Sequence, residues 1–168
     1  RFVRNGVNSI SAQASNNWGI HGLGYYVANK IMWDTSASVE AITQDFYEKA
    51  FGPAASAMQR YYERVGAAND PLPGMSLLRA CADDLEEASR RAAGHPDCLA
   101  RINDLKKLVV YSYLGEKVRV ARDEEEKKAH TLPWFTWAYR MRLSYMASWI
   151  DFRSTVGRPA AEDLGEIT

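Results

Sequence analysis

The sequence predicts a mainly α-helical fold, an irregular bundle of about six helices preceded by one strand-like segment. Three observations carry that prediction. Apolar residues recur at helical spacing from Leu23 onward, so each stretch can bury one face. Ser, Gly and Pro fall between the apolar stripes, where helices start and stop. Only residues 6–13 read as strand, and a lone strand has no neighbour to bond its backbone.

Taken in order, Gly6-Val7-Asn8-Ser9-Ile10-Ser11-Ala12-Gln13 is the strand-like segment, followed by a small polar turn, Ala14-Ser15-Asn16-Asn17. With no later strand in the sequence, its pairing partners are expected outside this chain. From about His21 the pattern turns helical, with Leu23, Val27 and Ile31 on one face and Trp33-Asp34 at the end. Ser38 is placed to cap a second helix by accepting a hydrogen bond from a free backbone N–H, and Val39, Ile42, Phe46 and Ala50 form its stripe. Gly52 is a C-terminal stop and Pro53 suits the first turn of a third helix, whose stripe is Ala55, Met58, Tyr62 and Val65.

The run Asn69-Asp70-Pro71-Leu72-Pro73-Gly74 breaks the chain. Ser76 is then expected to cap a fourth helix with Leu78, Cys81, Leu85 and Ala88 inward, closed by Gly94-His95-Pro96-Asp97. A fifth helix carries Cys98, Ile102, Leu105, Val109 and Tyr113 and is expected to run past Val120. Its solvated end is assigned to Asp123-Glu124-Glu125-Glu126-Lys127-Lys128, where Asp123–Lys127 and Glu124–Lys128 have the favourable acid-before-base order. His130-Thr131-Leu132-Pro133 is expected to break the chain again. A last helix has Phe135, Tyr139, Leu143, Met146 and Ile150 on one face, and Gly157-Arg158-Pro159 ends it. The domain division that follows is 1–20 for strand and turn, 21–157 for the helical domain and 158–168 for a tail.

The function classes narrow by composition. The 168 residues suffice for one domain with a core, and 21 Lys plus Arg balance 21 Asp plus Glu. That neutrality gives no pull toward nucleic acid or an anionic membrane surface, and no apolar run approaches a bilayer span. The start at Arg1 is read as a cleavage point or a boundary within a longer protein. Cys81 and Cys98 fall on apolar helix faces and read as two buried free thiols. They do not fix the compartment.

No phosphate loop, dinucleotide fingerprint, paired metal-ligand spacing or nucleophile elbow occurs. No catalytic residue, metal ligand or cofactor is therefore assigned, and His21, His95 and His130 are scattered. The candidate binding segment is Gln13-Ala14-Ser15-Asn16-Asn17-Trp18. Gln13, Asn16 and Asn17 offer amides to sugar hydroxyls, and Trp18 offers an apolar ring face. The competing reading is an Asn-rich turn with Trp18 packed on the following helix. Tyr25, Tyr26, Trp33, Trp134, Trp137 and Trp149 read by default as core, and the dense run Pro133–Tyr139 as a domain interface. Glycoside hydrolysis usually needs two carboxylates. Residues 1–33 contain no acid, and the later carboxylates lie on amphipathic helices and read as solvated.

The run Trp18-Gly19-Ile20-His21-Gly22-Leu23-Gly24-Tyr25-Tyr26-Val27-Ala28-Asn29-Lys30-Ile31-Met32-Trp33-Asp34 resembles the C-terminal region of bacterial α-glucuronidase-like proteins, a family mostly labelled domain of unknown function. The similarity continues through Asp45-Phe46-Tyr47, Phe51-Gly52-Pro53-Ala54-Ala55, Met58 and Tyr61-Tyr62, covering about residues 6 to 65. The resemblance implies an upstream (β/α)8 barrel as partner, with the strand-like segment as its last strand. It would put Gln13, Asn16, Asn17 and Trp18 on the barrel rim, where such barrels hold their sites. The related proteins often carry an acid near Gln13, which here is neutral and could bind substrate but not transfer protons. The resemblance also makes secretion or the periplasm the expected location.

The leading expectation is the C-terminal helical region of a glycoside-hydrolase-like, carbohydrate-active enzyme, contributing sugar contacts but not catalytic alone. It predicts an open cleft at Gln13–Trp18. The alternative is a non-enzymatic helical scaffold or homodimerisation module, which predicts a large apolar surface patch. An independent small-ligand helical module predicts an enclosed pocket.

Overall fold

Helical periodicity in the sequence becomes seven α-helices in the computed structural model, which describes residues 5–7, 9–11, 16–68 and 74–156. They are α1 (Trp18–Trp33), α2 (Val39–Phe51), α3 (Ala55–Ala67), α4 (Met75–Arg91), α5 (Pro96–Arg119), α6 (Glu124–Met141) and α7 (Trp149–Val156). Together they form an irregular helical bundle with no strand among the described residues. Within the strand-like segment, Val7 and Ile10 are exposed and unpaired to any ladder. Gln13, the break at 69–73 and the tail 158–168 lie outside the described residues.

The main core lies between α2, α3, α4 and α5. Helix α4 presents the stripe expected of it, with Leu78, Cys81, Leu85 and Ala88 all buried. Against them pack Met58 and Tyr61 of α3 and Ile102 and Leu105 of α5. Ser38 caps α2 by accepting the Ala41 N–H at 3.2 Å. Gly52, at φ 50°, ends α2 and starts a single 3₁₀ turn, Gly52–Ala54, with Pro53 in its first positions. In α2 and α3 the buried side is turned by one residue from the expected stripes. Tyr47 and Phe51 join Ile42, and Ala57 and Tyr61 join Met58. Gly74, not Ser76, is the residue before α4, and no side chain caps that helix.

Two carboxylates expected to be solvated are buried, Asp84 and Glu116. Asp84 accepts the Arg60 Nε at 3.1 Å and the Arg64 Nε at 2.7 Å, which ties α3 to α4. Glu87 joins the same network through Arg60 and, at 2.6 Å, Arg91. Glu116 accepts two bonds from Arg119 at 2.6 Å each. Amphipathic position alone does not reveal these, because arginine partners, one turn away for Glu116 and on α3 for Asp84, let a carboxylate leave water without losing its hydrogen bonds. Cys81 is a free buried thiol as expected, and burial pushes it up to about 11. Cys98, also free, is only half-buried.

The largest departures lie beyond Arg119, where α5 ends. The acidic run does not finish α5; it opens α6. Asp123 accepts the Glu126 N–H at 2.8 Å, and Glu124, Glu125 and Glu126 occupy the first turn. Aspartate followed three residues later by glutamate is a helix-start signature, and negative charge there complements the helix dipole. Nor does Pro133 break the chain, since it sits inside α6. Burial of Phe135 and Ala138 and packing of Trp134 onto Gly115 of α5 offset the missing hydrogen bond, a cost of about 3 kcal/mol. The run Pro133–Tyr139 therefore packs inward as much as outward, with Trp137 donating to the Lys107 carbonyl at 3.0 Å.

The expected last helix is in fact two, split by a 3₁₀ turn at Arg142–Ser144 and by Tyr145 in the left-handed region at φ 56°. Leu143 and Ile150, expected inside, are consequently exposed. Helix α7 returns to build a second cluster in which Phe152 and Trp149 pack on Phe135, at 5.9 and 5.2 Å between ring centroids.

Leu85 is fully buried at the meeting of α3, α4 and α5. Leu85→Ala is expected to cost about 2–5 kcal/mol, read as a fall in the urea unfolding midpoint at unchanged slope. A loss under 1 kcal/mol would contradict this placement of the core.

Candidate functional site

The first turn of α1 is where the chain closes on itself. Trp18 N–H donates to the Tyr145 carbonyl at 2.9 Å, and Gly19 N–H to the Met146 carbonyl at 3.2 Å. A helix start leaves four N–H groups without intrahelical partners, and two of them are satisfied here by distant backbone. Asn17 does not cap α1 with its side chain; its Oδ1 instead accepts the Ser148 N–H at 2.6 Å, across 131 residues. The approach is close enough to require glycine. A Cβ on Gly19 would meet Leu108 Cδ2 at 2.5 Å and the Met146 carbonyl oxygen at 2.7 Å.

This closure leaves an open cleft of about 740 Å³ between α1, α2 and α5. Helix α1 supplies one wall through Trp18, Gly22, Tyr26, Asn29, Lys30 and Trp33, which recur at three- and four-residue spacing and so share a face. Phe46 and Phe51 of α2 and Tyr62 of α3 make the floor. Their rings interlock edge to face, Phe46–Phe51 at 5.7 Å and Phe46–Tyr62 at 5.5 Å, and Tyr26 joins Phe46 at 5.4 Å. Burial pushes the Tyr62 hydroxyl well above its ordinary range, so the floor stays neutral. Arg101 and Asp104 of α5 line the facing rim, and Met146 closes one end.

The polar groups are partly committed. Arg101 donates to the Ala50 carbonyl at 3.1 Å and Asp104 pairs with Lys107 at 2.7 Å. Lys30 holds its ammonium 5.4 Å from the Tyr26 ring centroid. Tyr26 donates its hydroxyl to Asp45 at 2.6 Å, and Asp45 also binds Lys49 at 2.6 Å. The Lys49 bond, then the Tyr26 bond, hold the Asp45 carboxyl below its ordinary 3.8. Donation to Asp45 in turn raises Tyr26, which remains a neutral donor. Among the described residues no three His, Cys, Asp or Glu side chains gather as a metal site, and no helix is long and apolar enough to cross a membrane.

Residues 1–64 match the family model Domain of unknown function (DUF4838). The matched stretch contains α1, α2 and most of α3, and with them the aromatic wall and floor of the cleft. Arg101, Asp104, Leu105 and Met146 lie beyond it. That description carries no substrate and no reaction. No curated protein and no solved structure matches the chain.

Of the residues singled out in sequence, Trp18 reaches the cleft, 46% exposed, while its ring also meets Tyr25 edge-on at 5.1 Å. Asn16 is exposed outside the cleft lining, Asn17 holds Ser148, and Gln13 falls outside the described residues. Trp33, expected as core, is 93% exposed. Tyr26, Asn29, Lys30 and Trp33 were not proposed from sequence as a binding face. Their spacing from Trp18 was the available signal, masked by the apolar stripe Leu23, Val27 and Ile31 on the same helix.

The Tyr26–Asp45 bond is testable by carboxyl titration. In the native chain Asp45 is expected to titrate below 3.8, followed by NMR of its side-chain carbon. Tyr26→Phe removes a donor to the charged form and moves the midpoint upward toward 3.8. Any stability contributed by Asp45 is present above that ordinary value and lost as pH falls through the native midpoint. An unchanged midpoint in Tyr26→Phe would show that the two groups do not bond.

Proposed function

We propose that the chain is the C-terminal helical region of a glycoside-hydrolase-like protein, and that the cleft between α1, α2 and α5 lends it sugar contacts without catalysing a reaction alone. The observation that carries this reading is the lining of the cleft: Trp18, Tyr26 and Trp33 on one helix face, with Asn29, Lys30, Arg101 and Asp104 around them. A sugar ring has an apolar face and a rim of hydroxyls. Aromatic side chains match the first and amides, cations and carboxylates the second. The similarity of residues 6–65 to α-glucuronidase-like proteins points the same way.

The proposal assigns binding, not bond cleavage, to this chain. Asp104 is the one carboxylate among the described lining residues, and it is paired with Lys107. A second carboxylate would be needed for the usual acid and base roles. On this reading those roles belong to a barrel domain of the same protein.

A second reading, a helical scaffold or dimerisation module, is favoured by one observation. Leu143, Tyr145 and Ile150 leave apolar surface exposed around the break between α6 and α7.

Calorimetric titration with a panel of neutral and uronic-acid oligosaccharides tests the proposal. At least one is expected to bind, and Trp33→Ala to weaken it about tenfold or more, equivalent to about 1.4 kcal/mol. The melting temperature should not move, because Trp33 is 93% exposed. A silent panel, or unaltered affinity in Trp33→Ala, contradicts the sugar-cleft reading. A concentration-dependent dimer in sedimentation would favour the second.

A further inference from the structure

Tyr145 holds a left-handed backbone conformation, φ 56°, although it is not glycine. Such a residue persists where its surroundings over-determine it, and switch regions and ligand clamps are where such residues gather. Here the surroundings are the first turn of α1. The Tyr145 carbonyl accepts the Trp18 N–H, the Met146 carbonyl accepts the Gly19 N–H, and the Ser148 N–H donates to Asn17 Oδ1. Two of these residues, Trp18 and Met146, line the cleft.

The parts on either side differ in how firmly they are held. Of the sixteen residues of α1, only Gly19 is buried. The strap from Arg142 to Ser148 is one 3₁₀ turn followed by irregular backbone, with Ser144 bonding back to the Met141 carbonyl at 2.7 Å and Arg142 to the Tyr139 carbonyl at 2.7 Å. In the floor beneath, Phe51 belongs to the buried core with Met58 and Leu85, and Phe46, Tyr62 and, from the strap, Met146 pack against it partly buried. Segments with few buried contacts open without global unfolding.

We infer that Tyr145–Ser148 and the first turn of α1 form one latch, which opens as a unit and in opening removes the Trp18 and Met146 ends of the cleft. Its control of ligand access rests on the cleft being the binding site. The opening itself does not, and it is measured without ligand, so a failure of either idea is distinguishable from the other.

Native-state hydrogen exchange of the full chain, read by NMR at single amides, tests it. Trp18, Gly19 and Ser148 are expected to exchange at a common opening equilibrium, faster than Tyr61 and Leu85 in the core. Asn17→Ala removes only the Ser148 acceptor, yet is expected to accelerate Trp18 and Gly19 as well, by about fivefold or more. Tyr145→Gly relieves the left-handed strain and is expected to slow all three by about threefold or more, with the core amides unmoved. Acceleration confined to Ser148 in Asn17→Ala would overturn the latch. So would exchange of the three amides only at the rate of the core, or faster exchange in Tyr145→Gly.

Discussion

The close approach of Gly19 to Met146 and Leu108 is the constraint on which the rest of the site depends. Three hydrogen bonds cross at that point, and a side chain at residue 19 would collide with the Met146 carbonyl that accepts one of them. The contact joins residues near opposite ends of the described chain, and ordering so long an intervening segment carries an entropic cost that grows slowly with length. Because α2 to α5 are packed as a core, much of the intervening chain is ordered by contacts other than those of α1. The docking of α1 at this point places its aromatic face across the cleft from α5.

Magnitudes separate the two halves of this arrangement. A fully buried leucine in the core carries about 2–5 kcal/mol, and the core of α3, α4 and α5 holds Met58, Tyr61, Ile102 and Leu105 beside Leu85. Helix α1 is held by three bonds worth about 0.5–1.5 kcal/mol each, by Tyr26 on Phe46, and by the Tyr26–Asp45 bond. The cleft therefore has one rigid side and one side attached by a few kcal/mol. A binding site built this way can be firm in its floor and adjustable in its wall.

How much of this was legible in the sequence depended on where each signal came from. Leu78, Cys81, Leu85 and Ala88 were read correctly because α4 packs on neighbours along its whole length, so periodicity and burial coincide. Ser38 was legible because a cap is a local interaction. The region after Arg119 was misread because tertiary packing overrode local preference: Pro133 stays helical through the burial of Phe135 and Ala138, and Leu143 is exposed because Tyr145 turns the chain. Trp18, singled out for its aromatic ring, lines the cleft. The role of Asn17 was not legible, since its partner, Ser148, lies 131 residues away and no local pattern announces it. Arg101 and Asp104 are likewise invisible in the sequence, because only the folding of α5 against α1 brings them to the same cleft as Trp33.

The α1–α2–α5 cleft is the proposed seat of a sugar. Chemical-shift mapping of the isotope-labelled chain during oligosaccharide titration locates the ligand most directly. Shifts are expected in the indole of Trp33, the ring of Tyr26, the side-chain amide of Asn29 and the methyl of Met146, while a second groove, lined by Met75 and Arg79 of α4 and Val110 and Tyr113 of α5, stays unmoved. Shifts confined to that groove or to Leu143 and Ile150, or no shift at all, would contradict it.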